Sequence, residues 1–204
     1  MMNFVIISGS HQAGSQSLKV SKWLSDYLVS KGYGADIIDL GGDPLPLWTS
    51  DAWKADSELA THISPYLQKV ENADGLILVA PEWAGMAPAA LKNFLLYIGS
   101  KHAAHKPAMI VGVSSGRGGT YPISELRMSG YKNNRLVYIP DHLIVQDVNQ
   151  VMNDPDLENG SKADLYIKNR SAHSLDVLAA YAKAMTAMRE GEEALIHKEY
   201  PFGM

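Results

Sequence analysis

Short unbroken apolar runs alternate along the chain with longer stretches of helical period. The runs are Phe4–Ile7, Ala35–Leu40, Gly75–Ala80 and Ala108–Val113, with a fifth over Leu136–Val148 that Pro140 interrupts. Continuous runs of this kind suit strands buried on both faces, as in a parallel sheet. Between them, Leu18, Val20, Leu24, Tyr27 and Leu28 approximate one helical stripe, and Leu59, Ile63, Tyr66, Leu67 and Val70 form another within Ser57–Val70. Leu91–Ile98 is apolar around most of its circumference, which predicts burial or an interface. Ala163–Glu190 reads as one long helix or two abutting ones. Strands alternating with helices predict βαβ units, right-handed crossovers and a doubly wound sheet.

Gly41-Gly42-Asp43-Pro44-Leu45-Pro46 marks a loop after the second run; Asn153–Asp156 and Asn159-Gly160 mark another. Repeats, low-complexity tracts and dividing linkers are absent from the sequence, so residues 1–204 are expected to form a single domain. Residues from about 150 onward exceed what the common fold needs and read as a C-terminal extension. Its long helix either finishes one face of the sheet or extends an oligomer interface.

Composition narrows the chemistry. With 204 residues, 46% apolar and 20% charged, the chain can bury a core without staples. A net charge of -4 argues against nucleic acid or an anionic membrane as the main partner. The absence of cysteine excludes disulfides, thiolate catalysis and cysteine-ligated metal. His102 and His105 lack a third ligand at helpful spacing and are expected to be surface residues near a helix end. The run Glu190-Gly191-Glu192-Glu193 reads as a solvated face, and Met185 and Met188 as core or interface packing. No basic region precedes the first apolar run, which is too short for a signal or spanning segment, so the expected location is the cytoplasm.

In an open parallel sheet, ligands bind beyond the carboxyl ends of the strands. Three loops therefore matter. Ser8–Ser17, after the first strand, holds four serines and two glycines just before a helix start, where free N–H groups and the dipole favour phosphate. The same residues also suit a plain serine-rich turn with Ser15 or Ser17 as helix cap. Pro81-Glu82-Trp83-Ala84-Gly85-Met86-Ala87-Pro88 follows the third strand; its amides can reach the edge of a flat ring, or Trp83 can simply be packed. Ser114-Ser115-Gly116-Arg117-Gly118-Gly119-Thr120 follows the fourth, with glycines that admit close backbone approach and an Arg117 able to meet an anion. The adjacent Ser10-His11 pair lacks the Gly-x-Ser-x-Gly elbow of a serine hydrolase.

Together the three loops resemble the NADPH-dependent FMN reductase family of flavodoxin-like proteins. That family carries Gly-Ser-x-Arg-x-x-Ser-x-Asn where this chain has Gly9–Ser17, and Pro-Glu-Tyr-Asn-x-Ser-x-Pro-x-x-Leu-Lys-Asn where it has Pro81–Asn93. The third loop resembles the family's Ser-x-Gly-x-x-Gly-Gly, one residue shorter. The resemblance covers about residues 3–148. It implies a flavodoxin-like three-layer α/β sandwich with a five-stranded parallel sheet in order 2-1-3-4-5. It also implies FMN as cofactor, NADPH or NADH as donor, a small-molecule electron acceptor, and a homodimer or homotetramer. The family's FMN contacts carry over to Gly9, Ser10, Gln12, Ser15, Gln16 and Ser17 at the phosphate, and to Pro81, Glu82, Trp83, Ala84, Gly85, Ser115, Gly116 and Gly119 at the ring. Phe94, Leu95, Leu96 and Tyr97 are the expected subunit contact.

The departures carry consequences. Gln12 stands for the family's Arg and loses a charge-assisted phosphate contact. Ser17 stands for Asn, Trp83 for Tyr, Ala84 for Asn and Met86 for Ser. FMN binding is expected to be retained but weakened. The implied activity is hydride transfer from a nicotinamide through FMN to a quinone, flavin or similar acceptor, with no side-chain acid or base required. A non-enzymatic flavin-binding or regulatory module is the alternative.

Overall fold

The computed structural model describes residues 1–42, 45–153 and 160–191. Five parallel strands, β1 (Asn3–Ser8), β2 (Gly34–Asp39), β3 (Gly75–Pro81), β4 (Pro107–Val113) and β5 (Val137–Val145), form one sheet in the order β2-β1-β3-β4-β5. The expected order is the observed one. Helices α1 (Gln16–Ser30), α2 (Glu58–Asn72), α3 (Ala89–Tyr97), α4 (Ser100–Ala103), α5 (Thr120–Met128) and α6 (Lys162–Glu190) complete the layers.

The unbroken apolar runs have a direct cause. Successive strand side chains point to opposite faces, and here both faces are covered. Val5, Ile7, Leu76, Leu78, Ala108 and Ile110 pack with Ile63 and Val70 of α2, Leu91 and Phe94 of α3 and Ile123 and Leu126 of α5. Phe4, Ile6, Ile77, Val79, Met109 and Val111 pack with Val20, Leu24 and Leu28 of α1 and Leu175, Leu178 and Ala182 of α6. Pro140 is tolerated because β5 is an edge strand; opposite it the register jumps from Ala108–Tyr138 to Ile110–His142.

The apolar pattern does not mark α5. The helix spans only nine residues, carries Pro122 in its first turn, and buries just Pro122, Ile123 and Leu126. The long helix α6 finishes the α1 face of the sheet. It lies against β3, β4 and β5 through Ile167, Leu175 and Leu178 and through small residues, Ser171, Ser174, Ala179 and Ala182, that admit close approach.

Several expectations are corrected by packing. Met188 lies outside the core, because the last turns of α6 run past it, so of its two expected settings only the interface remains open. His102 is half-buried rather than a surface residue; its Nδ1 accepts from Gly99 N–H at 3.1 Å, and burial pushes its pKa down. Phe94, Leu95 and Tyr97 are buried within the chain, leaving Leu96 alone of the expected contact residues exposed. Asp43, Pro44, residues 154–159, Glu192 and Glu193 lie outside the described residues.

Candidate functional site

The winding reverses between β1 and β3. The chain leaves β1 for β2 on one side and later enters β3 on the other, so the carboxyl ends of β1 and β3 flank an open crevice. The three sequence-marked loops meet there. Gly9 N donates to Val79 O at 2.8 Å, and a Cβ on Gly9 would lie 2.7 Å from that oxygen and 3.1 Å from the Leu91 side chain. Only glycine lets the first loop turn this closely over β3 and α3.

Ser10 is buried, and its hydroxyl accepts from Gln12 N at 3.1 Å. Ser15 is the cap of α1: its hydroxyl accepts from Leu18 N at 3.1 Å. Ser17 is a buried residue of the first helical turn rather than the cap. Neither the Ser8–Ser17 loop nor the first turn of α1 carries an acidic side chain. The Ser8 hydroxyl, buried at the end of β1, has no hydrogen-bond partner among the described residues. The hydroxyls of Ser10, Ser15 and Ser17 and the first-turn N–H groups form a donor set fitted to a phosphate monoester such as that of FMN.

The second loop closes on itself. Trp83 and Met86 exchange both backbone bonds, at 3.2 and 3.0 Å, around Ala84 (φ 50°) and Gly85 (φ 70°). The family's Asn tolerates such a left-handed position better than alanine does. The half-buried Trp83 ring meets the exposed His11 ring edge-on at 4.4 Å, bridging the first and second loops. Glu82 does not point freely at a ligand. Its Oε2 accepts from Gly119 N at 2.6 Å and Tyr121 N at 3.3 Å. In the third loop, exposed Arg117 lies 3.6 Å from Asp147, so its charge already has an acidic neighbour.

A cavity of about 210 Å³ lies between these loops. It brings together Ser10, Gln12, Ser15, Gln16, Ser17, Pro81, Glu82, Trp83 and Ser115. Gly9, Ala84, Gly85, Gly116 and Gly119 do not line it; Gly9 and Gly119 shape the backbone beneath it, and Ala84 and Gly85 form the exposed turn. Val113, Ser114 and Val148 join the lining. Val113 and Ser114 were legible as the end of the fourth strand, whereas Val148 arrives only through the path taken after β5. Lys19, unremarked in the sequence, holds that path: its Nζ donates to Val148 O at 2.5 Å, Val151 O at 2.9 Å and Asn153 Oδ1 at 2.7 Å. Burial pulls its pKa below the ordinary lysine value. A larger groove of about 590 Å³ between α2 and the α3–α4 segment gathers none of the three loops, so size does not identify the site.

The sequence model of the NADPH-dependent FMN reductase family matches residues 2–150. The chain belongs to that family. It is 33% identical over 128 residues to the FMN-dependent NADPH-azoreductase of Staphylococcus haemolyticus, covering 62% of this chain and 68% of that protein. It is 28% identical over 129 residues to the NADPH azoreductase of Bacillus sp. strain OY1-2, covering 63% and 68%. In fold it is similar to the flavoenzyme NAD(P)H:(acceptor) oxidoreductase of Paracoccus denitrificans, with a TM-score of 0.68 at 18% identity over 91% of this chain and 99% of that one. As a member of the FMN reductase family the chain is an oxidoreductase with FMN as cofactor and NAD(P)H as electron donor, which removes the non-enzymatic alternative. Among the described residues no group of three potential ligands could hold a metal ion, and no helix is long and apolar enough to cross a membrane.

Proposed function

We propose that the crevice beyond β1, β3 and β4 is the FMN site and that the acceptor is a small planar molecule such as an azo compound or a quinone. The convergence of nine sequence-marked residues on one cavity beside the α1 N-terminus supports this reading most strongly. Bound FMN supplies the hydride relay between nicotinamide and acceptor. The chain's own groups bind and orient. The hydroxyls of Ser10 and Ser17 and the free N–H groups of the first turn of α1 receive the phosphate, with Gln12 and Gln16 at the rim. Pro81–Trp83 and Ser114–Ser115 border the ring end. Trp83, with His11 against it, forms a side wall that limits water access to the ring.

The acceptor chemistry comes from the azoreductase relatives. The chain acts as a homodimer or homotetramer in the cytoplasm. Exposed Leu96 and Met128, at the ends of α3 and α5, supply apolar surface for assembly. Light scattering on the purified protein checks the oligomer.

Titration with FMN, followed by fluorescence quenching, and then NADPH oxidation in the presence of an azo dye or a quinone test the assignment. Saturable binding and acceptor-dependent oxidation are expected. A protein that binds no FMN refutes it.

A further inference from the structure

Helices α1, α2 and α6 are each capped by their own serine, Ser15, Ser57 and Ser161. Helix α5 cannot be. Its N-cap is Gly119, at φ 105°, which has no side chain. The missing acceptor comes from another strand. Glu82, at the end of β3, places Oε2 on the N–H groups of Gly119 and Tyr121. A carboxylate there satisfies orphan donors and opposes the positive end of the helix dipole.

The tie is returned from the helix. Glu125, on α5, accepts from Ala87 N through Oε2 at 2.7 Å and pairs with Lys92 of α3 through Oε1 at 2.8 Å. These two bonds hold its carboxyl below the usual glutamate range. The second loop is therefore fastened to α5 near both ends, at Glu82 and Ala87, and closed between them by the Trp83–Met86 pair. The third loop is seated from the other side. Gln146 Nε2 donates to the carbonyls of Arg117 and Gly118, and Gly112 of β4 lacks the Cβ that would collide with Gly119 O.

We propose that Glu82 and Glu125 are positioning residues that join the second and third loops into one preformed wall for the isoalloxazine. The inference rests on the FMN reading of the site. Glu82 thus acts through backbone it holds in place, not as a ligand of the cofactor.

Riboflavin, which lacks the phosphate, separates this wall from the phosphate cradle. In Glu82→Ala, Kd for FMN and for riboflavin rises by the same factor, about tenfold for loss of a charge-assisted bond. Glu82→Gln, which keeps an acceptor oxygen, stays within about threefold of wild type. Ser17→Ala weakens FMN alone. Amide hydrogen exchange on the flavin-free protein supplies a second readout. In Glu125→Ala, exchange quickens at Ala87 and also at Gly119 and Tyr121, because the loops open as one body.

Unchanged affinities in Glu82→Ala, or a loss confined to FMN, overturn the proposal. So does exchange in Glu125→Ala that quickens at Ala87 only. If Glu82→Ala fails to fold, the exchange arm in Glu125→Ala still decides. Wild-type protein that binds neither flavin refutes the FMN reading instead, while the exchange arm still reports whether the two loops move together.

Discussion

Gln12 lines the cavity beside the N-terminus of α1, with its side chain exposed to solvent. Its amide can donate a hydrogen bond but brings no charge to a dianion. Restoring a guanidinium there adds a charge-assisted bond at little steric cost. Gln12→Arg is expected to tighten FMN about tenfold at low salt, with the gain shrinking as salt rises and riboflavin affinity unchanged. Parallel fluorescence titrations with the two flavins check it. Ala84 shows how a residue change can be misread from sequence. The lost amide suggests a lost ring contact, yet Ala84 does not line the cavity, and what it alters is the cost of a left-handed backbone at φ 50°. Glu82, by contrast, does line the cavity. The sequence places it beside the cofactor, and the structure spends its carboxylate on the N-terminus of α5.

Elements differ in how plainly they announce themselves. α1 and α2 each present a stripe and a local serine cap, so both follow from spacing. α5 presents neither, because its cap lies on β3 and its buried face is one short turn. The opposite end of α2 is also completed from afar. Buried Lys106, just before the core of β4, donates from Nζ to Val70 O at 2.8 Å and Glu71 O at 2.6 Å, the last carbonyls of the helix. Burial, aided by the Arg189 charge, lowers its pKa from 10.5 to about 8. Below that value both folded and unfolded chains hold the proton, and folding carries the full cost of burying it. Between about 8 and 10.5 the unfolded chain binds more protons, so stability rises with pH. Denaturant midpoints measured from pH 7.5 to about 10 should climb for wild type and lose most of that climb in Lys106→Met.

At the scale of the molecule, the two layers of helix are unequal in origin. The α2, α3 and α5 layer is built from crossovers between strands, whereas the other layer is α1 plus the C-terminal α6. Tyr27 of α1 donates to Asp176 of α6 at 3.1 Å, and Arg170 of α6 pairs with Asp141 of β5. A chain ending at Gly160 leaves Met109, Val111 and Leu143 without their cover. It should show no cooperative thermal transition and no near-ultraviolet circular dichroism, since such a face is too apolar to stay solvated. Strand identity, sheet order and the three loops were legible because unbroken apolar runs, Gly/Pro punctuation and the family's motif are local properties. The choice between the two readings of the α6 segment was not legible. Half of its buried stripe is serine and alanine, and small residues carry little periodic signal until a sheet is seen beneath them. The sequence by itself determined the doubly wound frame, the family and most of the cavity lining, since each depends on residues near one another along the chain. Tertiary structure alone decided that Glu82 caps a helix, that Lys19 ties Val148 to the site and that Phe94 is core. Those roles depend on which backbone groups meet after the sheet has closed, and no spacing within a segment encodes that.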